Sequence, residues 1–190
     1  MASRMSKRTR LIIVILTAAV LVAVGIALSH GFSDPSDSTP QGQEAPDFTL
    51  STTTGANITL SDLGGTPVVL NFWSISCAYC RQQLPYLENV AQQSEGEIEV
   101  IAVNMADSAA RIQTFFDDYE PTMIVALDEN RATFVNYCQN FDNSRAYIPF
   151  TLFLDSEGMV QYKKIGAFAN EEALWNTLHD VFGTAIPETS

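Results

Sequence analysis

The apolar residues of this chain gather first in one block. Leu11 to Leu28 is almost entirely apolar. As a helix that block is roughly 27 Å long, close to the ~30 Å hydrocarbon core of a bilayer. Arg4, Lys7, Arg8 and Arg10 precede it, and no acid lies in the first thirty residues. The positive-inside tendency places this short end in the cytoplasm and the rest of the chain outside. A retained anchor is the preferred reading. The alternative is a cleaved signal peptide, with Ala27-Leu28-Ser29 as a weak cleavage site, although such peptides usually have only about 7–15 apolar residues. No cysteine directly succeeds the block, which argues against a lipoprotein anchor. Both readings export the remainder of the chain. Residues 31–46 are Gly, Ser, Asp, Pro, Thr and Gln with little apolar content, a flexible tether. The expected organisation is 1–30 basic end and anchor, 31–46 tether, and 47–185 a single folded domain.

Within that domain the pattern shortens and begins to alternate. Asp47–Leu50 and Asn57–Leu60 predict a hairpin around Gly55, with Ser61 capping a short turn that ends at Gly64-Gly65. Val68–Trp73 is a continuous apolar run and predicts a buried strand. A helix is predicted from Cys77 to about Gln93, kinked at Pro85. Glu99–Asn104 reads as a strand, Ser108–Tyr119 as a helix, Met123–Leu127 as a strand and Arg131–Tyr137 as a helix. Phe150–Leu154 and Val160–Ile165 flank Asp155-Ser156-Glu157-Gly158, a tight turn that makes these two strands antiparallel. Asn170 is expected to cap a last helix with Leu174, Leu178 and Phe182 on its inner face. Alternation of this kind predicts an α/β domain, a mixed central sheet with helices on both faces and an N-terminal hairpin extension.

Charge narrows the partners. The chain holds 10 basic and 22 acidic residues. Four of the basic ones precede position 30, so the remainder carries six against 22, a balance of −16. Such a surface repels phosphate backbones, which excludes nucleic-acid binding as a working function. It also keeps the domain off anionic lipid except through its anchor.

The chemistry concentrates in Cys77-Ala78-Tyr79-Cys80, at the junction of the Val68–Trp73 strand and the helix after it. Two thiols three positions apart at a helix start lie one turn apart and can close into a disulfide. The helix start supplies partial positive charge and unpaired N–H groups, which favour a thiolate on the first cysteine. Cys77 is therefore the expected nucleophile and Cys80 the resolving thiol. A free thiol with pKa ~8.5 is about 3% ionised at pH 7, whereas a thioredoxin-like value near ~7 gives about half. Ala78 and Tyr79 add no charge. Arg81 is weighed as a thiolate stabiliser, with an exposed helix face as the preferred reading. Ile148-Pro149 heads a strand, and an X–Pro bond there can be cis, at a base rate of only ~5–6%.

These residues resemble the thioredoxin fold, and within it the membrane-anchored TlpA/ResA/CcmG-like thiol–disulfide oxidoreductases. The resemblance spans about Ala45 to Phe182. It rests on Ala45-Pro46-Asp47-Phe48, Val69-Leu70-Asn71-Phe72-Trp73, the Cys77/Cys80 pair with Leu84-Pro85, and Ile148-Pro149-Phe150-Thr151-Leu152-Phe153-Leu154-Asp155 closed by Gly158. It implies that Pro149 is cis and faces the pair. It also implies a substrate groove formed by Trp73, Ala78, Tyr79 and Ile148, with Trp73 beneath the pair and Tyr79 and Tyr147 at the groove edges. Asn71, Gln83 and Arg81 are the expected redox-tuning positions. Three departures stand out. Ser76 replaces a second Trp, and Asn71 and Gln83 stand where many members carry a buried acid. Neither amide accepts a proton usefully, so water is the expected proton carrier.

Other chemistries fit poorly. A zinc site needs about four ligands, and beyond the pair only Cys138, His30 and His179 remain. His30 flanks the membrane block and His179 sits late on the last helix. Copper handling asks for a wider cysteine spacing with a nearby His. Peroxidase chemistry asks for Pro and Thr ahead of the cysteine, where Ser74 matches only loosely. Cys138 reads first as a buried small hydrophobe, and second as an accessory redox thiol or a cysteine for intermolecular pairing. No nucleotide or flavin motif is visible, so the pair itself is the expected redox group, with no cofactor. The resemblance implies an exported reductant of client thiols, apocytochrome haem-attachment cysteines among them, fed by a membrane thiol carrier. A non-catalytic binding module and a dithiol oxidase remain as alternatives.

Overall fold

The computed structural model describes residues 42–117 and 119–183. The predicted anchor and the tether up to residue 41 lie outside them. Among the described residues no helix is long and apolar enough to cross a membrane. The elements in chain order are β1 (Gln43–Glu44), β2 (Thr49–Thr52), β3 (Asn57–Thr59), β4 (Val68–Trp73), α1 (Ala78–Gln93), β5 (Glu99–Met105), α2 (Ala109–Phe116), β6 (Ile124–Asp128), α3 (Ala132–Asn140), β7 (Phe150–Leu154), β8 (Met159–Ile165) and α4 (Glu171–Phe182).

All eight strands join one sheet in the order β1-β8-β7-β4-β5-β6-β2-β3. β4 lies inside it, parallel to β5 and antiparallel to β7. Its alternate residues feed two cores. Val68, Leu70 and Phe72 pack with Phe134, Tyr137 and Phe150 on one face. Val69 and Trp73 pack with Leu84, Leu87 and Leu174 on the other. Burial on both faces explains why this strand reads as a continuous apolar run rather than an alternation. Asn71, in the register of Val69 and Trp73, is the one polar interruption, and it is paired in the sheet with Thr151.

Several expectations change. The tether does not reach residue 46: Gln43 and Glu44 pair with Val160 and Met159 of β8, and Ala45 is buried. The N-terminal hairpin extension is present as expected: β2 pairs with β3 and also with β6, so the hairpin extends the sheet beyond β6. Ser61 caps nothing. Its N–H and hydroxyl both donate to Asp47, at 3.0 and 2.9 Å, and a 3₁₀ turn runs over Leu60–Leu63. α1 contains Pro85, as expected, with the proline on its exposed side. α2 stops at Phe116 because Asp117 turns left-handed, φ 50°. α3 runs on to Asn140 and so includes Cys138. Asn170 does cap α4, accepting the Ala173 N–H at 2.8 Å. The β7–β8 turn closes at Gly158, whose φ of +79° explains the glycine there.

Candidate active site

β4 ends at Trp73 and the chain turns through Ser74–Ser76 before α1 begins. Cys77 is the N-cap of α1, in extended backbone (φ −85°, ψ 110°). Its sulfur lies 3.1 Å from the Cys80 backbone nitrogen, so the N–H that the helix start leaves free points at it. The two Cα atoms are 5.2 Å apart and the sulfurs are joined as a disulfide. Cys77 is half-buried and Cys80 is buried, one turn deeper. A client reaches the first sulfur before the second.

The turn before Cys77 is densely bonded. The Ser74 carbonyl accepts from Cys77 N–H at 3.2 Å, and the Ser74 and Ser76 hydroxyls meet at 2.8 Å. The Ile75 peptide is held at both ends. Its N–H donates to Asp107 at 2.9 Å, and its carbonyl accepts from the Arg81 guanidinium at 2.6 Å. Asp107 is itself buried, taking Asn104 at 3.1 Å and Arg111 at 2.8 Å. Arg81, expected as a tuning residue, therefore spends its guanidinium on the backbone from an exposed position.

Ile148-Pro149 is cis. The Ile148 carbonyl oxygen lies 3.8 Å from the Cys77 sulfur. The loop leading in is closed by the buried Asn143, which accepts the Tyr147 N–H at 3.0 Å and donates to the Tyr147 carbonyl at 2.9 Å. Ala78 is exposed, Tyr79 is 68% and Tyr147 52% exposed, Ile148 is half-buried, and Pro149 is buried.

Trp73 needs a correction. It was expected in the client groove, but it is wholly buried, in the same cluster as Cys80, against Phe115 and Phe116 at 5.6 and 6.1 Å. It supports the pair from within and offers no surface to a client. Asn71 and Gln83, both 1% exposed, converge on Thr151: Asn71 Nδ2 and Gln83 Nε2 donate to its hydroxyl at 2.8 and 3.3 Å. Gln83 Oε1 accepts the Phe168 N–H at 3.0 Å. The buried polar group of this site is thus a fixed amide network.

Cys138 is not brought to the pair. It belongs to the cluster on the opposite face of the sheet. Burial pushes its thiol up to about 11, against smaller downward pulls from the Arg131 charge and Asn143. His179 lies in the last turn of α4, its ring 6.5 Å from Trp175. No group of three or more His, Cys, Asp or Glu is placed to hold a metal ion among the described residues. Sequence reasoning missed Thr151, Asp107, Asn143 and Glu88. Glu88, buried on α1, accepts from Tyr119 (2.6 Å), Gln92 (2.8 Å), Thr122 N–H (2.9 Å) and Met123 N–H (3.2 Å). Burial pulls its carboxyl up, but these four donors together hold it below the ordinary value. An acid at a helix position whose neighbours are Leu87 and Val90 was the available signal.

Known proteins match this arrangement. Residues 41–163 match the AhpC/TSA family. Thiol-disulfide oxidoreductase ResA of Bacillus subtilis (strain 168) is 32% identical over 189 residues, 98% of this chain and 99% of its own. Thioredoxin-like protein YneN of the same organism is 32% identical over 135 residues, 70% of this chain and 75% of its own. Among solved structures, a candidate thiol:disulfide interchange protein DsbE from Chlorobium tepidum superimposes with a TM-score of 0.66 at 28% identity, covering 77% of this chain and 100% of that one.

Proposed function

The chain belongs to the AhpC/TSA family and is a thiol–disulfide oxidoreductase with a thioredoxin-like fold, and from that premise we propose that it works outside the cytoplasm, held by residues 11–28, as a reductant of exported proteins. The observation that carries the proposal is the staging of the two sulfurs. Cys77 is reachable, sits at the N-cap of α1 and receives the Cys80 N–H. Cys80 waits buried behind it.

The exchange balances without a further group. The Cys77 thiolate attacks one sulfur of a client disulfide, and the client's other sulfur leaves as a thiolate. The Cys80 thiolate then attacks the Cys77 sulfur, and the second client thiolate leaves. The client gains two electrons and, from water, two protons, while the enzyme pair becomes a disulfide. The helix start and the Cys80 N–H favour negative charge on Cys77 in the first step. The amide network next to Cys80 offers no carboxylate, so the Cys80 proton leaves through water. A membrane dithiol carrier restores the pair. The clients are exported proteins whose cysteines must stay reduced, haem-attachment thiols of apocytochromes among them. The apolar block and the four basic residues before it support the location.

Replacing Cys80 with Ser removes the resolving sulfur. In cells expressing the full-length C80S chain, alkylation followed by non-reducing separation should yield client adducts linked through Cys77 and absent from the C77S/C80S chain. A non-catalytic binding module yields none. A midpoint potential near about −270 mV supports the reductive direction, and one near about −120 mV overturns it in favour of an oxidase.

A further inference from the structure

The two segments that meet at the Cys77 sulfur depart from the charge of the rest of the domain. Six basic and 22 acidic residues lie beyond position 30, yet Ser74–Leu84 contains one charged side chain, Arg81, and Asn143–Pro149 contains one, Arg145. The turn that bonds to the Pro149 carbonyl, Gly166–Asn170, contains none. Asp107 is the carboxylate that reaches the Ser74–Ser76 turn, at the Ile75 N–H, but its side chain is 6% exposed and is neutralised by Arg111 at 2.8 Å. Arg81 and Arg145 are both exposed, and neither pairs with a carboxylate among the described residues. Arg145 meets the Tyr147 hydroxyl at 3.4 Å. Its loop is fixed by the Asn143 amide bracket and by Ala146 in left-handed backbone, φ 52°. The same two segments expose Tyr79 and Tyr147, two of the four large apolar side chains on the described surface.

We propose that Arg145 and Arg81, with Tyr79 and Tyr147, form a client-reading surface, and that it selects segments whose reactive cysteine is flanked by an acidic side chain and an apolar or aromatic one. Arg145 is the charge-reading residue, and Arg81 adds to the field while it holds Ile75. The inference rests on the exchange function proposed above. The domain's excess negative charge does not reverse the preference, because charges screen over about 8 Å at physiological salt. The neighbours of a docked cysteine therefore feel the rim of the site rather than the distant surface. Tyrosine supplies apolar contact area with a polar tip, which suits it to reading an exposed segment.

The test uses the reduced full-length chain in a neutral detergent and two disulfide-bonded peptides that differ only in Glu or Lys beside the cysteine. Hydroxyethyl disulfide, small and uncharged, serves as control. The Glu peptide should react several-fold faster. Arg145→Ala should reduce the Glu-to-Lys rate ratio roughly two- to five-fold, the range expected of an exposed ion pair, and Arg145→Glu should invert it. Each peptide rate is divided by the same variant's rate with hydroxyethyl disulfide, so that any change in intrinsic exchange cancels from the Glu-to-Lys ratio. Equal rates for the two peptides, or a ratio that R145E leaves in place, overturns the inference while exchange itself stands. Failure to reduce hydroxyethyl disulfide refutes the exchange function, and the inference with it.

Discussion

Thr151→Val tests whether the amides beneath the site are structural. Valine keeps the shape of threonine and removes only the hydroxyl that accepts from Asn71 at 2.8 Å and Gln83 at 3.3 Å. Both donors are buried, so neither finds water. Leaving a buried donor unpaired costs about 1–3 kcal/mol. The Asn71 bond has good length and bears most of that. The Gln83 bond lies beyond the usual ~3.2 Å limit, and Gln83 keeps its second anchor at the Phe168 N–H. The combined loss is about 1.5–3.5 kcal/mol, well inside the ~5–15 kcal/mol that holds a domain together, so the variant folds. The assay is urea unfolding of the oxidised chain with a double-mutant cycle against Asn71→Leu. Removing both partners relieves the unpaired donor, so the double variant should lie at least about 1 kcal/mol above the sum of the singles. The three hydrogen bonds of the network end on nitrogen and oxygen, not on a sulfur. The cost should therefore fall on both redox states alike and move the midpoint potential by less than about 30 mV, which corresponds to ~1.4 kcal/mol. A stability loss under about 0.5 kcal/mol with a larger shift in potential would refute the reasoning and make the amides redox tuners.

Glu88→Gln should destabilise the chain by about 1–3 kcal/mol at pH 7, because the new amide turns a donor toward the Met123 N–H and gives up the charge that the other donors face. The depressed carboxyl of Glu88 contributes stability above its unfolded value of about 4.3, and loses it as pH falls through its lower folded value. The gap between wild type and E88Q should therefore narrow from pH 7 to pH 3 in urea titrations, and a constant gap contradicts the assignment. Cys138, with its thiol pushed up to about 11 by burial, should resist iodoacetamide at pH 7.5 in the folded reduced chain while Cys77 is labelled. Peptide mapping reads this directly, and early labelling of Cys138 refutes its inert role. Cys138→Ala should leave the exchange rate within about two-fold.

The parts of this fold that were legible depend on near neighbours. Val68–Trp73 announces itself because a strand covered on both faces needs no polar position. The cysteine pair is legible because four consecutive residues contain it. Boundaries were lost where a single residue changes hand, as at Asp117, which ends α2 three positions early. β1 was lost because two residues paired across more than a hundred positions leave no periodicity at all.

The site divides along the same line. Its nucleophile and resolving thiol are set by local spacing, but what holds them is not. Asn71 meets Thr151 across 80 positions and Gln83 meets it across 68, on three separate elements. Asp107 reaches Ile75 across 32. Each of these side chains is ordinary in its own segment, and only the sheet order that sets β7 and β5 on either side of β4 brings them together. Long-range polar contacts of this kind tie α1 to β7, and the turn before Cys77 to the segment after β5. A chain with the same four-residue motif but without Thr151 and Asp107 would keep the chemistry of the pair and lose the polar ties that stabilise the elements around it. The identity of the reaction therefore resides in the motif, and the stability of its surroundings in residues that the motif does not contain.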